Sequence, residues 1–204
     1  MMGIPALAAL LLAPLAQTQE LPVFEAWVDT DLAEEDLEDI GCMCALWCAI
    51  GWSVDATSYL PAIGGHCYEP GMLDDSDIAT AWVEGVDGNG EGERIDFLLE
   101  KYESGFDDGE RHVYPLWGLM LLNGYRRTEG TWNANGRVAR ALVSVNGEPI
   151  CIVELADSRQ LQHVQLPSTD VGDGDVVSFE ILEVFPGDRY EDTALTELIL
   201  MGAH

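Results

Sequence analysis

The sequence predicts an all-β fold, an antiparallel β-sandwich that extends from about Leu46 to the C-terminus. Two observations predict it. About eight short apolar segments follow one another at regular spacing, and no strongly amphipathic helix separates them. In addition, Asn146-Gly147 stands between two of these segments, and Asn-Gly in that position is the strongest short signal for a β-hairpin.

The individual strands are predicted from the period of the apolar side chains. Residues 50–57, 95–100 and 177–182 alternate between apolar and polar side chains, as strands with one buried face do. Residues 116–122 are continuously apolar, which predicts a strand buried on both faces. Residues 102–114 lack a period and contain several turn-forming residues, so we expect a loop there.

The remaining strands lie in the C-terminal half of the chain. Residues 137–155 are predicted to form a hairpin, because both central residues of a type I′ turn need positive φ and Asn-Gly supplies them. Residues 161–166 and 195–201 are two further apolar runs, and a glycine-rich turn is expected at residues 170–175.

Residues 1–18 are predicted to be a secretory signal peptide. The apolar run at residues 3–16 is shorter than the roughly 18 residues of a membrane-spanning helix, and Pro5 and Pro14 interrupt it. It has no Lys or Arg before it, and a retained apolar helix is the alternative. Residues 19–45 are then an acidic linker, because carboxylates crowd this segment, and the folded domain comprises residues 46–204.

The chain is strongly acidic, with 9 Lys and Arg against 37 Asp and Glu and a formal charge of −28. Such a field repels nucleic-acid phosphates and anionic membrane surfaces, which argues against a nucleic-acid partner. A strongly hydrated surface for a salty or extracellular setting is the plain interpretation of this charge.

Five cysteines fit an exported protein in which disulfide bonds persist, with one thiol left over or paired between molecules. The sequence does not specify their pairing. A zinc site at the N-terminal cysteines is the less favoured alternative, because Cys-x-Cys lacks the spacer of ordinary zinc knuckles. The cysteines are Cys42, Cys44, Cys48, Cys67 and Cys151.

No catalytic signature is present in the sequence. It contains no Gly-x-Ser-x-Gly elbow, no His-Glu-x-x-His motif and no phosphate loop. The four histidines are scattered and are expected to be surface or turn residues. We therefore expect a protein that is not an enzyme.

A cation site is one interpretation of residues 73–93, a loop dense in carboxylates and turn-forming residues that Trp82 is expected to anchor. Hard oxygens at spacings of two and three suit a calcium ion, and a carboxylate from the last strand completes the set. A purely hydrogen-bonded turn is an equally good interpretation. The predicted ligands are Asp75, Asp77, Thr80 and Glu197.

A glycan-binding surface is predicted around residues 123–137, where arginines, aromatic rings and amides gather. Aromatic faces stack on sugar rings, while amides and guanidinium groups bond to sugar hydroxyls. In the alternative interpretation, Tyr125 and Trp132 pack internally and Arg137 pairs with a carboxylate. The predicted binding residues are Glu84, Asn123, Tyr125, Arg126, Trp132, Asn135 and Arg137.

Five motifs in order resemble the NADase-type glycan-binding domain, the discoidin-like translocation domain of secreted bacterial NAD glycohydrolases. They are TAWVEG at residues 80–85, the glycine loop through residues 92–93, NGYRR at residues 123–127, the N-x-R of residues 135–137 and PGDRYEDTALTEL at residues 186–198. The resemblance covers about residues 52–202. It implies a galactose-binding-like β-jelly roll that binds glycans and has no catalytic activity.

This sequence departs from the family pattern at several points. Asp75-Ser76-Asp77 stands where many relatives have Asp-Gly-Asp, Ile78 replaces a frequent Pro, and the cysteine-containing N-terminal segment has no counterpart. An NAD glycohydrolase catalytic domain does not fit in the chain, so the family name implies no NAD hydrolysis here.

The sequence therefore predicts a secreted, periplasmic or cell-surface bacterial carbohydrate-binding module whose partner is a glycan or glycoconjugate. No cofactor is required beyond a structural calcium ion, and no transmembrane segment is expected. The alternative is a cell-surface structural or protein-interaction domain that docks a protein partner through the same sandwich.

Overall fold

A computed structural model describes residues 20–32, 46–102 and 110–203, and these residues form an all-β fold. Two short 3₁₀ helices, Leu46–Cys48 and Pro70–Leu73, and one six-residue helix, α1 (Glu129–Ala134), connect the strands. The strands are β1 (Val23–Glu25), β2 (Trp27–Val28), β3 (Gly51–Ala56), β4 (Trp82–Val83), β5 (Arg94–Glu100), β6 (Val113–Asn123), β7 (Gly136–Val145), β8 (Glu148–Glu154), β9 (Gln162–Gly172), β10 (Val176–Phe185) and β11 (Thr193–Gly202).

The strands hydrogen-bond into one continuous sheet that folds into the two layers of a sandwich. One layer has the order β8-β7-β10-β5-β3 and the other the order β2-β9-β6-β11, with β4 paired to β11. Within each layer the neighbours are antiparallel, as predicted. Among the described strands, β1 with β8 and the first residues of β11 with β7 are parallel pairs, and the second of these joins the layers.

The main core lies between the two layers. Burial alternates along β5, so that Ile95, Phe97 and Leu99 face inward as their spacing predicts. They pack in one cluster with Leu121 and Leu198 of the other layer. Full burial of such a side chain contributes about 1.5–3 kcal/mol, so this alternation is a main source of stability.

From Gly118 to Asn123, β6 is buried on both faces, which confirms the prediction for most of the continuous apolar run; Trp117, within that run, is 38% exposed. Leu119 and Leu121 belong to the main core, whereas Met120 and Leu122 belong to a smaller cluster on the outer face. Leu32 and Ile78 pack against that smaller cluster. The outer face of this layer is therefore covered in part by the loop that contains Ile78.

The predicted hairpin joins β7 and β8 through a two-residue turn. Asn146 has φ 53° and Gly147 has φ 79°, as a type I′ turn requires. The Asn146 side chain also ties the turn to the next strand, because its amide donates to Asp175 Oδ1 at 3.0 Å and its carbonyl accepts the Val176 N–H at 3.0 Å.

Strands β1 and β2 correct the expectation that residues 19–45 are a solvated linker with the fold beginning at Leu46. β1 pairs with β8, β2 pairs with β9, and Phe24 and Ala26 pack against the main core. The apolar residues of these strands precede the dense run of carboxylates that begins at Asp29, so the charge of the whole segment hid two short β-forming stretches.

Several predictions fall on residues outside the described part of the chain. The signal peptide lies within residues 1–19, the remaining acidic segment within residues 33–45, and most of the expected 102–114 loop within residues 103–109. Within the residues that the structure describes, no helix has the length and apolarity needed to span a membrane.

Candidate functional site

The acidic loop at residues 73–93 is fixed to the sandwich by Trp82. The Trp82 side chain is fully buried, and its Nε1–H donates to the Ser58 carbonyl at 3.0 Å. Strand β4, which begins at Trp82, pairs with β11. The predicted anchoring role of Trp82 is therefore confirmed.

The carboxylates before Trp82 form a hydrogen-bonded turn. Asp75 Oδ1 accepts the Asp77 backbone N–H at 2.9 Å, and Asp75 Oδ2 accepts the Thr80 hydroxyl at 2.8 Å. Asp77 Oδ1 in turn accepts the Ala79 N–H at 2.9 Å. Ser76, between the two aspartates, has φ 61°, a value that residues with a side chain seldom adopt. These contacts agree with the hydrogen-bonded interpretation of the turn.

Glu197 of β11 lies close to this turn. It is 1% exposed, and neither carboxylate oxygen has a partner in regular hydrogen-bond geometry among the described residues. Burial, with the negative charges of Asp75 and Asp74, raises the pKa of Glu197 to about 9, although the nearby Ser76 backbone N–H offsets part of the rise. The predicted cation ligands thus lie around a buried carboxyl group that the protein leaves unsatisfied.

The described carboxylates do not already stand as a metal-ligand group. Within residues 20–32, 46–102 and 110–203, no three His, Cys, Asp or Glu side chains have the arrangement of a metal site. Cation binding at this turn would require the side chains of Asp75 and Asp77 to exchange some of their present hydrogen bonds for the ion.

The residues predicted to contact a glycan come together at one end of the sandwich, but most of them are buried. Asn123 is fully buried, and its side chain pairs with the backbone of Val138 in both directions. Its Nδ2 donates to the Val138 carbonyl at 2.8 Å and its Oδ1 accepts the Val138 N–H at 3.0 Å. The Asn123 side chain therefore links the end of β6 to β7, whereas the backbone of β6 pairs with β9 and β11.

Arg137 of β7 is the centre of this buried network. Its Nε and Nη2 donate to the two oxygens of Asp157, each at 2.9 Å, and its Nη1 donates to the carbonyls of Asn135 at 3.0 Å and Pro186 at 3.1 Å. The guanidinium carbon also lies 4.6 Å from the Trp132 ring centroid. This is the internal pairing that the alternative interpretation of Arg137 described.

The other predicted residues of this region follow the same pattern. Tyr125, Arg126 and Asn135 are buried, and Trp132, which is half-buried, donates its Nε1–H to the Asn123 carbonyl at 2.9 Å. This corrects the expectation that the set forms an exposed binding surface. Their side chains lie behind the surface and support it, because a folded chain this rich in buried polar groups must pair them internally.

Glu84 connects two loops at the same end of the sandwich. It is fully buried, its Oε2 accepts the Val86 N–H at 2.8 Å, and its Oε1 accepts the Thr193 N–H at 3.3 Å. Burial raises the Glu84 pKa and the charge of Asp192 adds to the rise, while the two backbone hydrogen bonds lower it. A Cβ on Gly90 would lie 2.5 Å from Glu84 Cγ, so only glycine fits there.

An open depression with a volume of about 570 Å³ lies between the two loops that Glu84 connects. Residues 86–88 form one wall and residues 189–192 form the other. Tyr190 is 43% exposed, and the guanidinium carbon of Arg189 lies 5.0 Å from its ring centroid. The depression thus combines an exposed aromatic ring, a guanidinium group and carboxylates.

The wall at residues 189–192 is held in place by α1. The Asp188 N–H donates to the Asn133 carbonyl and the Tyr190 N–H to the Ala134 carbonyl, each at 2.8 Å. A Cβ on Gly187 would lie 2.4 Å from the Ala134 carbonyl oxygen, so this contact requires glycine. The buried network therefore fixes the backbone that presents Tyr190.

Sequence reasoning did not select Arg189 or Tyr190 as binding residues. Both belong to the PGDRYEDTALTEL motif at residues 186–198, which indicated the family and not the binding residues. The available signal was an aromatic residue beside an arginine in a Pro-Gly-Asp turn, because turn residues are usually exposed.

The described cysteines are free thiols. Cys48 is exposed, Cys67 is half-buried and Cys151 is buried, and burial raises the pKa of the Cys151 thiol to about 11. Cys42 and Cys44 lie outside the described residues. The disulfide expectation therefore remains a prediction.

The two-layer sandwich and the loops at its end define a discoidin-like, galactose-binding-like β-jelly roll domain. The chain belongs to the family described as the NAD glycohydrolase translocation F5/8 type C domain, whose model matches residues 47–201. This family is the one that the five sequence motifs indicated. A search of curated protein sequences gave no match.

Solved structures of low sequence identity share the fold. The CBM32-1 and CBM32-2 domains of ZmpB from Clostridium perfringens, in complex with GalNAc, match with a TM-score of 0.59 and 13% identity over 93% of this chain and 42% of that one. This chain therefore spans less than half of that structure. A CBM32 domain of the same organism, CpGH89CBM32-5 in complex with GalNAc-β-1,3-galactose, matches with a TM-score of 0.51 and 19% identity. The match covers 74% of this chain and 94% of that one.

A fragment of a chitobiase-like protein from Bacteroides thetaiotaomicron matches with a TM-score of 0.53 and 18% identity, over 76% of this chain and 90% of the fragment. Identities in this range establish the jelly-roll architecture and leave the ligand of this chain to be argued from its own residues.

Proposed function

We propose that this protein is a secreted, non-catalytic carbohydrate-binding module and that the depression between residues 86–88 and 189–192 is its glycan site. The exposed ring of Tyr190 carries the proposal, because it stands in an open depression beside Arg189. An aromatic face stacks on the apolar face of a sugar ring, and charged groups bond to its hydroxyls. The glycans in two structural neighbours support the same class of ligand.

The buried residues of the original prediction have a positioning role in this proposal. Arg137 holds the Pro186 carbonyl at the start of one wall, and Glu84 holds Val86 of the other wall. Trp132 and Asn135 contact Arg137, and Asn123 bonds to the next residue, Val138. Tyr125 packs with Val83 and Ala194, and the Arg126 N–H donates to Thr196. Preorganised walls lose little conformational entropy when a sugar binds, which favours affinity.

The charge of the depression restricts the class of glycan. Asp87, Glu191 and Asp192 line it with a single guanidinium group, that of Arg189, on a chain of formal charge −28. Carboxylates and sulfates on a glycan would be repelled, whereas hydroxyls, acetamido groups and ammonium groups meet acceptors. We therefore expect neutral or amino sugars to bind and sialylated or sulfated glycans to be excluded.

A calcium ion at the acidic turn is also part of the proposal. Neither buried oxygen of Glu197 has a partner in regular hydrogen-bond geometry, and a buried carboxylate without a cation costs several kcal/mol, so the group keeps its proton to a pKa of about 9 unless a cation binds. Hard carboxylate and hydroxyl oxygens are the ligands that calcium prefers. Glu197 with Asp75, Asp77 and Thr80 would hold the ion, which would fasten the loop to the last strand as a structural element.

A protein partner is the second candidate, because the family description names translocation. In that case the acidic sandwich would dock a basic surface of another protein outside the cell. In both cases we place the protein in the secreted, periplasmic or cell-surface compartment of a bacterium, as the predicted signal peptide indicates.

A glycan array probed with the purified chain, in calcium and in chelator, tests the proposed function. For a neutral or amino sugar found there, Tyr190→Ala should lower affinity about thirtyfold, the usual effect of losing a central aromatic anchor, and Tyr190→Phe should retain it. Tyr102→Ala is the matched control, because Tyr102 is also 43% exposed but follows β5 and contacts Trp47.

Two results would contradict the proposal. One is an array without a specific glycan signal, accompanied by saturable binding to a basic protein. The other is unchanged affinity in a folded Tyr190→Ala variant, which would remove the depression as the site.

A further inference from the structure

A second exposed tyrosine belongs to a loop that abuts the near wall of the depression. Tyr59, on the loop between β3 and β4, is 45% exposed, and Val86, on the near wall of the depression, is 40% exposed. Together with Tyr190 they place three large apolar side chains on three separate loops at one end of the sandwich.

The loop that carries Tyr59 is fastened directly to the wall that carries Val86. The Gly85 N–H donates to Ser58 Oγ at 2.9 Å, and the Leu60 N–H donates to the Val83 carbonyl at 2.8 Å. A Cβ on Gly85 would lie 2.4 Å from the Tyr59 carbonyl oxygen, so the two backbones touch at a position that only glycine permits. The position of Tyr59 relative to Val86 is therefore fixed by the fold.

The same wall is fastened on its other side to the segment that carries Tyr190. The Glu84 N–H donates to the Thr193 carbonyl at 3.1 Å, and the Thr193 hydroxyl donates to the Asn89 carbonyl at 2.8 Å. The order across the surface is thus Tyr59, Val86, Tyr190, with hydrogen bonds joining each loop to the next.

From this arrangement, and resting on the proposed function, we propose that Tyr59 forms a second stacking position and that the natural ligand is an oligosaccharide of at least two linked sugars. One sugar stacks on Tyr190 inside the depression. The next extends over Val86 towards Tyr59, where its apolar face meets the second ring. Tyrosine serves such a position at low entropic cost, because its side chain has few rotatable bonds.

The test compares sugars of increasing length. The probes are the monosaccharides galactose, N-acetylgalactosamine and N-acetylglucosamine, and the β-linked disaccharides and trisaccharides built from them, measured by titration calorimetry. The wild-type chain should bind the best oligosaccharide at least tenfold more tightly than its terminal monosaccharide. Tyr59→Ala should abolish that gain and leave monosaccharide affinity unchanged, whereas Tyr190→Ala should weaken both.

Tyr59→Phe should keep the gain, since it keeps the ring, and Tyr102→Ala is again the control for loss of an exposed tyrosine. Melting temperatures check that each variant is folded. Equal affinity for the monosaccharide and the longer sugars, or a gain that survives in Tyr59→Ala, would overturn the second stacking position while the glycan site at Tyr190 stands. If no sugar in the series binds, the proposed function and this inference are both refuted.

Discussion

Arg137 and Glu197 are both ionisable and nearly inaccessible, at 7% and 1% exposure, yet their surroundings differ completely. Arg137 donates to Asp157 and to two carbonyls and lies over Trp132, whereas no described group satisfies the oxygens of Glu197. A buried charge is tolerated when its neighbours replace the lost hydration. Arg137 is therefore a fully paired structural residue, whereas Glu197 needs a bound proton or cation to be stable in its position.

The largest effect is expected from removing the paired charge. Arg137→Ala leaves the Pro186 and Asn135 carbonyls without their donor, and breaking a buried pair costs about 3–5 kcal/mol; because Asp157 is 42% exposed, we expect about 3 kcal/mol. Urea denaturation measures the loss in the free energy of unfolding. Arg140→Ala, on the same strand, is the control, because its ion pairs with Glu154 and Glu183 face solvent and should contribute little.

If Arg137→Ala and Arg140→Ala destabilise the protein to the same small extent, the network around Arg137 is no more important than a surface ion pair. The difference drawn between the two buried charges would then be wrong.

The next largest effect on stability is expected from calcium binding at Glu197. A ligand that binds only the folded state adds RT ln(1 + [L]/Kd), about 2.7 kcal/mol at a hundredfold excess over Kd. Thermal unfolding in calcium and in chelator measures this gain in stability. Glu197→Gln should abolish the gain, and the control Glu100→Gln, at an exposed carboxylate, should preserve it. In chelator at neutral pH Glu197→Gln should be about as stable as wild type, because a carboxyl group with a pKa of about 9 is protonated and neutral there, as the amide is. A melting temperature indifferent to calcium and to chelator would leave Glu197 as a protonated carboxylic acid.

The smallest effect is expected at Asp175, a carboxylate that is well paired. Burial alone would raise its pKa, but hydrogen bonds from Asn146 and Gly172 and the charge of Arg111 lower it below the ordinary value. A lowered folded-state pKa means that the contribution to stability is present above the unfolded pKa and is lost as pH falls through the folded pKa. Asp175→Asn should therefore cost about 1–2 kcal/mol at neutral pH and progressively less in acid.

Urea denaturation of the wild type and the variant between pH 7 and pH 2 checks this prediction. Two stability curves that stay parallel throughout that interval would mean that the paired carboxylate adds nothing that depends on its charge.

Local periodicity was sufficient to predict the main strands and the hairpin. Alternation along β5, the continuous apolar run of β6 and the Asn146-Gly147 turn depend on neighbouring residues, and all three are confirmed. Strands β1 and β2 were not predicted, because each is stabilised by a partner far along the chain, β8 and β9, and has only two or three residues of its own.

The candidate site was predicted in its location but not in the orientation of its side chains. The motifs identified the end of the sandwich where the depression lies, yet composition does not distinguish an inward arginine such as Arg137 from an outward one such as Arg189. That distinction depends on partners such as Asp157 and Pro186, which reach Arg137 only in the folded chain. Tyr190 was missed for the same reason.

The Asn146-Gly147 turn also bears on the chemical lifetime of the protein. Asparagine followed by glycine cyclises and deamidates readily in a flexible chain, because glycine does not shield its backbone nitrogen. Here the amide is bonded to Asp175 and its carbonyl to the Val176 N–H, so the folded state holds the side chain away from that reaction. Deamidation of Asn146 therefore requires these two hydrogen bonds to open, and the chemical lifetime of this hairpin depends on how often the turn is released from Asp175 and Val176.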